Sequence, residues 1–215
     1  MKEYLIHGTQ LKNLIHILQD GYIDINPPKK YRSYLINNSP NQIFTQLIYK
    51  DIPNQKNQIA HWFAAAIILD KKILKDYPFY ATGVGGFSDK FENGMKSDNV
   101  IIYGDGNLSK MPNLTKLKNK INKWMERIKD DDETRSTIFM HTNEILFNQK
   151  IPLDKYCIKI IMYSFIGNKD TKYNKIIEHI IKLAKEKNIP LTFRDPKLID
   201  QNKPLNSFIN SIETD

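Results

Sequence analysis

Two short segments of this 215-residue chain carry the side chains best suited to chemistry. His7, Gly8 and Thr9 follow an apolar run near the beginning, and Glu144 opens the apolar run EILF much later. A histidine next to a glycine offers a ring nitrogen beside backbone that no Cβ shields. A carboxylate can stabilise a developing positive charge or accept a proton. These residue types indicate a ligand site with a catalytic carboxylate, provided that the fold brings the two segments together.

Each of these residues also has an interpretation without function. His7 alone fits a buried histidine at the end of a strand, and Thr9 fits the N-cap of the helix that follows. Glu144 alone fits a surface residue on an edge strand. Only their joint occurrence, in this order and at this separation, favours a functional site.

Metal binding and two kinds of hydrolysis do not fit the sequence. The five histidines form no HxxxH pair, and the single cysteine, Cys157, excludes a CxxC motif, so no zinc site is expected. A two-histidine phosphoesterase needs a second H-x-[ST] motif, but Thr-Asn follows His141. A Ser-His-Asp hydrolase would show a G-x-S-x-G motif, which the sequence lacks. We therefore expect neither a bound metal nor these hydrolases.

The charge balance favours an anionic partner. The formal net charge is +8 and the sequence pI is about 9.3, which attracts polyanions such as nucleic acid. The lysines are nevertheless scattered along the chain rather than gathered into one tract. Nucleic acid is therefore the favoured macromolecular partner, and protein stays open as the alternative.

Cysteine usage and hydropathy predict an intracellular, cytoplasmic protein. With Cys157 alone, no internal disulfide can form, which fits a reducing compartment. The longest apolar stretch, residues 59–69, is shorter than the roughly 20 residues that span a bilayer. The N-terminal segment lacks the unbroken apolar core of a signal peptide. We therefore expect a protein that is neither secreted nor inserted in a membrane.

The first twenty residues predict a strand, a tight turn and a short helix. Residues 4–7 read as the strand. The helix follows because four apolar residues recur at i, i+3, i+4 and i+7, which places them on one helical face. Thr9 is the predicted N-cap and Gly21 the predicted C-cap in the left-handed region. The apolar residues are Leu11, Leu14, Ile15 and Leu18.

Later segments alternate between strand and helix patterns, which predicts one mixed α+β domain. Residues 1–196 are assigned to this domain, and residues 197–215 to a polar C-terminal tail that is loosely held. Strands are predicted in residues 42–52, in two segments of 143–165 and at 189–195. Helices are predicted near Lys71, over residues 114–128 and, most strongly, over residues 171–188.

Three segments of the sequence resemble the ADP-ribosyltransferase superfamily. "YLIHGTQLKNLIHILQDGYI" is similar to its NAD-binding opening, in which a strand ends in His-x-Thr or His-Gly-Thr before a helix that runs to a glycine. "NEILFNQKIPLDKYCIKIIM" resembles the strand of the catalytic glutamate, in particular that of DarT-type enzymes that modify DNA bases. "YPFYATGVGGFSDK" is similar to the middle segment of the same group. Together these segments cover about a quarter of the chain.

The resemblance implies a fold, a co-substrate and a set of site residues. The fold would be α+β, a mixed and largely antiparallel split sheet with flanking helices, and NAD would be the co-substrate without a metal. His7 would bind the adenosine ribose, and Gly8 would let its backbone approach the nicotinamide amide. Glu144 would stabilise the oxocarbenium-like state in which the nicotinamide–ribose bond breaks, or accept a proton. The other implied contacts are Thr9 to a ribose hydroxyl, Asn13 to the loop, Tyr77 or Tyr80 to nicotinamide, and Arg32 to the diphosphate or to catalysis.

The resulting hypothesis is transfer of ADP-ribose from NAD to a macromolecule, with nucleic acid favoured over protein as the acceptor. One alternative is a noncatalytic structural or nucleic-acid-associated protein of a large AT-rich virus that retains the fold. A further alternative is tRNA 2′-phosphotransferase-like chemistry, which also uses NAD and a His-Gly-Thr-like opening. That activity calls for additional basic residues that the sequence does not let us locate.

Overall fold

A computed structural model describes the fold over part of the chain. Arg32 lies outside the described part. So does the predicted helix at residues 114–128, except for Asn119, which is helical. The described residues are 3–25, 43–49, 64–82, 101–103, 119, 144–163, 171–199, 209–210 and 212–213.

Strands account for most of the described elements. Eight of them form one sheet in the order β10-β9-β4-β1-β3-β7-β5-β6, and β2 pairs with β8 in a separate two-stranded ladder. Each neighbouring pair in the large sheet is antiparallel except β9 and β10, which are parallel. The strands are β1 (Glu3–Thr9), β2 (Tyr22–Ile23), β3 (Ile43–Tyr49), β4 (Ala65–Leu69), β5 (Tyr80–Thr82), β6 (Ile101–Tyr103), β7 (Glu144–Phe147), β8 (Ile151–Pro152), β9 (Cys157–Tyr163) and β10 (Leu191–Arg194).

In the described part of the chain, two longer helices and three short ones accompany the strands, and residues 119, 209–210 and 212–213 are helical as well. The longest helix joins the parallel strands β9 and β10, as a crossover between parallel strands requires. It also packs against the first helix of the chain. The helices are α1 (Leu11–Asp20), α2 (Ile73–Asp76), α3 (Leu153–Tyr156), α4 (Thr171–Glu186) and the 3-10 helix Pro196–Ile199.

The core lies between the sheet and these two helices. All five residues of β4 are buried, as expected for a strand that reads as a continuous apolar run and lies inside the sheet. From α1, the buried residues are Leu14, Ile17 and Leu18. From α4, the core residues are Ile177, Ile180 and Ala184. The predicted apolar face of α1 is confirmed for Leu14 and Leu18, while Leu11 and Ile15 are partly buried and Ile17, outside that stripe, is buried as well.

The ends of α1 match the prediction at one end only. Gly21 adopts the left-handed conformation with φ of 80°, and its N–H donates to the carbonyl of Ile17, so the predicted C-cap is confirmed. At the other end the N-cap is Gln10, whose carbonyl accepts from the N–H of Leu14. The predicted N-cap Thr9 is wrong, because Thr9 still pairs with Ala65 as the last residue of β1.

The described part of the C-terminal tail is packed rather than loosely held. Ile209 and Ile212 are almost completely buried and belong to the hydrophobic core. The hydroxyl of Tyr4 donates to Glu213 over 3.1 Å, which ties the tail to the first strand. These two isoleucines pack into the core although most of the tail is polar. The expectation of a loose tail is therefore wrong for these residues.

Candidate active site

β1 pairs with β3 on one edge and with β4 on the other, but over different residues. Residues 3–6 pair with residues 46–49 of β3, whereas residues 5–9 pair with residues 65–69 of β4. The ladder between β1 and β3 thus ends at Ile6. The backbones of these two strands therefore part where the sequence places His7, Gly8 and Thr9.

The imidazole of His7 bridges this gap between β1 and β3. Its Nδ1 atom lies 2.8 Å from the carbonyl oxygen of Phe44. A carbonyl oxygen can only accept, so Nδ1 carries the proton and donates it. Continued pairing would have put Phe44 opposite Gly8, and the ring therefore takes the place of a backbone pair.

The protonation of His7 follows from its surroundings. Desolvation by the surrounding protein lowers the pKa of His7 below its ordinary value of 6.5, while the hydrogen bond to Phe44 acts in the opposite direction. The ring is therefore neutral at pH 7. With the proton on Nδ1, the Nε2 atom has a lone pair and can accept a hydrogen bond from a ligand hydroxyl.

Gln46 connects β1 to the strand on which Glu144 lies. It pairs with Ile6 on one side and with Glu144 on the other. Two strand spacings amount to about 10 Å between the outer Cα atoms. The fold therefore brings the backbone of Glu144 into the same row of the sheet as Ile6, the residue before His7.

The other residues of the opening segment surround the end of β1. Gly8 is exposed, so its backbone is open to a ligand, and Thr9 is buried. Asn13 is half-buried and lies in the first turn of α1. His7, Gly8, Thr9 and Asn13 thus cluster around one strand-to-helix junction, as the sequence predicts for consecutive elements.

Tyr77 has its described contacts away from this junction. Its ring packs edge to face on that of Tyr156, with 5.3 Å between the centroids. Tyr156 directly precedes Cys157, which pairs with Leu69 at the opposite end of β4 from the residues that pair with Gly8 and Thr9. The fold does not bring Tyr77 to His7 through these contacts, and its stacking on nicotinamide stays a prediction.

A polar cluster explains the position of Tyr77. The hydroxyl of Tyr156 donates to Asp76 over 2.7 Å, and Lys155 lies 3.1 Å from the same carboxylate oxygen. These two hydrogen bonds lower the pKa of Asp76, while burial raises the pKa of Tyr156 to about 12. The cluster joins α2 to α3, and this makes it a structural link rather than a binding site.

Tyr80 and Arg32 are described less fully. The backbone of Tyr80 begins β5 and pairs with Leu146, two residues beyond Glu144. Tyr80 is therefore the predicted aromatic residue that the sheet brings near β7. Arg32 lies outside the described residues, and its role stays a prediction.

One polar residue in this region was missed by reading the sequence. Thr45 is buried to 1% exposure on β3, and its hydroxyl donates to the carbonyl of Ile145 over 2.7 Å. Ile145 directly follows Glu144. A threonine inside an apolar strand pattern is a weak signal, because threonine is common in strands of every kind.

Metal-ligand clusters and membrane-spanning helices are absent from the described residues. These residues contain no group of three or more His, Cys, Asp or Glu side chains that could hold a metal ion. In the same part of the chain, no helix is both long enough and apolar enough to cross a bilayer.

Comparison with solved structures identifies the fold. The structure of DarT from Thermus sp. 2.9 in complex with NAD+ is similar, with a TM-score of 0.50 over 89% of this chain and 94% of that chain. The two sequences are 14% identical. No protein-family model and no curated protein matches the sequence. The likeness confirms the predicted fold class, an α+β ADP-ribosyltransferase-like fold with a largely antiparallel sheet.

Proposed function

We propose that this protein transfers ADP-ribose from NAD to a macromolecular acceptor. One observation carries the proposal: Gln46 pairs with both Ile6 and Glu144, so only β3 separates the strand that ends in His-Gly-Thr from the strand that begins at Glu144. The fold that holds them resembles that of a protein solved with NAD+. A nucleotide site between the end of β1 and the beginning of β7 accounts for both segments.

The proposed reaction replaces one bond at C1′ of a ribose of NAD by another and moves one proton from the acceptor to a carboxylate. The glycosidic bond between C1′ of the ribose and the nicotinamide nitrogen breaks, and nicotinamide leaves with the bonding electron pair. An O–H or N–H group of the acceptor attacks C1′, and its proton passes to the carboxylate that we assign to Glu144. A carboxylate suits both tasks, because the sugar carries positive charge in the transition state.

His7 supports the proposal through its protonation state. A neutral ring with the proton on Nδ1 leaves Nε2 as an acceptor for a ribose hydroxyl of NAD. Gly8 is exposed and has no Cβ, so the nicotinamide amide can come close to its backbone. We assign Thr9 and Asn13 to supporting this junction, Tyr80 to the nicotinamide ring, and Arg32 to the diphosphate.

Nucleic acid is the acceptor that we favour. The chain has a formal net charge of +8, which raises the local concentration of polyanions without selecting a sequence. A protein acceptor is the alternative. Label transfer in parallel samples of DNA, RNA and cell extract distinguishes them.

The test uses NAD radiolabelled in its adenylate part, with nicotinamide release measured in the same samples. Wild-type protein should release nicotinamide and label an acceptor, and Glu144→Gln should lower both by about 100-fold or more, because the general base is lost. Glu178→Gln is the matched control, since Glu178 is an exposed residue of α4. It should keep full activity.

Three results would contradict the proposal. Nicotinamide release that persists in Glu144→Gln would remove Glu144 from the chemistry. Absence of release together with no thermal shift on addition of NAD, in a folded sample, would favour a noncatalytic protein that retains the fold. Release only with 2′-phosphorylated RNA would select phosphotransferase chemistry instead.

A further inference from the structure

Thr45 is one of two buried threonines among the described residues of the sheet, and it is more deeply buried than Thr9. Only 1% of its surface is exposed, and the Ile145 side chain opposite it is fully buried. A buried hydroxyl costs free energy unless it finds a partner. Valine has nearly the same shape and suits a strand equally well, so packing alone does not explain the hydroxyl.

The partner of this hydroxyl lies next to Glu144. Thr45 Oγ1 donates to the carbonyl oxygen of Ile145 over 2.7 Å, a short hydrogen bond. That carbonyl belongs to the peptide that joins Ile145 to Leu146. The bond therefore adds a side-chain link to the backbone ladder that pairs Thr45 with Ile145, one residue beyond Glu144.

A second hydrogen bond to β3 comes from the other side. The residue before Thr45 is Phe44, whose carbonyl accepts from Nδ1 of His7. Consecutive residues of β3 are thus tied to β1 through the His7 ring and to β7 through the Thr45 hydroxyl. The His7 bond lies beyond Ile6, where the ladder between β1 and β3 no longer sets the spacing, whereas the Thr45 bond lies within the ladder between β3 and β7.

We propose that Thr45 is a positioning residue that sets the place of Glu144 relative to His7. The inference rests on the proposed function, since it assigns Glu144 to the chemistry. Thr45 does not touch the substrate in this account. It holds the β7 backbone so that the carboxylate and the bound ribose keep one relative position.

The kinetic test compares Thr45→Val with Thr45→Ser. Loss of the hydroxyl should lower kcat for nicotinamide release by about tenfold or more, because displacement of a catalytic group by about 1 Å is costly. KM for NAD should stay within about twofold, because His7 and its bond to Phe44 are unchanged. Thr45→Ser retains the hydroxyl and should restore kcat.

Thr192→Val is the matched control. Thr192 is half-buried on β10, where it pairs with Ile161 at the other side of the sheet. The same loss of a hydroxyl there should leave kcat unchanged. A Thr45→Val variant that keeps kcat within about twofold, or a serine variant that rescues nothing, would overturn the proposal.

Hydrogen–deuterium exchange of the β7 amides provides a readout that does not depend on turnover. Exchange in β7 should rise in Thr45→Val and return to the wild-type rate in Thr45→Ser. Unchanged exchange in Thr45→Val would overturn the proposal even if kcat fell. If β7 responds as expected but wild-type protein releases no nicotinamide with any acceptor, the proposed function fails while the structural coupling stands.

Discussion

Ile6 and Glu144 lie in one row of the sheet, because Gln46 pairs with both of them. The two residues belong to distant parts of the sequence, yet only β3 separates their strands. Since His7 follows Ile6, its backbone lies within one residue and two strand spacings of that of Glu144.

His7→Phe should weaken NAD binding. The change removes both ring nitrogens, so it loses the bond to Phe44 and the acceptor at Nε2. We expect the Kd for NAD, measured by isothermal titration calorimetry, to rise about tenfold, the effect of losing roughly one hydrogen bond to a ligand. His179→Phe on the exposed face of α4 is the control and should leave Kd unchanged. Equal affinities of the wild-type and His7→Phe proteins would exclude His7 from the site.

The stability of the protein should depend on pH through His7. Burial lowers the pKa of His7. As the pH falls below 6.5, the histidine therefore binds a proton more readily in the unfolded chain than in the folded one. The stabilising contribution is fully present above the ordinary pKa of 6.5 and is lost as the pH falls from there through the lowered pKa. The free energy of unfolding should therefore fall over this range, as measured by urea denaturation.

The matched variant for this pH dependence is His7→Gln. It cannot titrate, so its free energy of unfolding should fall less below pH 6.5 than that of the wild type. Parallel profiles for wild type and His7→Gln would show that His7 does not contribute to acid destabilisation.

Ile212→Ala should destabilise the whole domain. Ile212 is 1% exposed and belongs to the core, so truncation removes buried apolar surface and leaves a cavity. We expect a loss of about 2–5 kcal/mol in the free energy of unfolding. Ile181→Ala is the control, because Ile181 is 40% exposed on α4 and should change stability little. Similar urea midpoints for the two variants would mean that the tail does not stabilise the core.

Gly21→Ala should destabilise through the backbone. Gly21 has φ of 80°, a conformation in which a Cβ is strained, and the new Cβ would lie 3.3 Å from Nζ of Lys187. We expect a loss of about 1 kcal/mol or more in the free energy of unfolding. Lys187→Ala alone should have little effect, because Lys187 is exposed. If the Gly21→Ala/Lys187→Ala double variant loses as much free energy of unfolding as Gly21→Ala alone, backbone strain is the cause.

The sequence by itself determined the local elements of this protein. Neighbouring residues carry the signals that the fold follows. These signals are the apolar spacing in α1 and α4, the glycine after α1, and the apolar β-branched runs of β3 and β9. The resemblance to ADP-ribosyltransferases also came from such local segments. For this reason the fold class could be predicted before any contact between distant residues was known.

Only the tertiary structure decided how these elements meet. Strand register depends on packing between segments far apart in sequence, and it determined that Gln46 joins Ile6 to Glu144. The same long-range packing brought Tyr77 to Tyr156 and buried the isoleucines of the tail. It also gave the hydroxyl of Thr45 its partner. None of these pairings leaves a periodic pattern in the sequence, because each depends on where two separate segments come to lie.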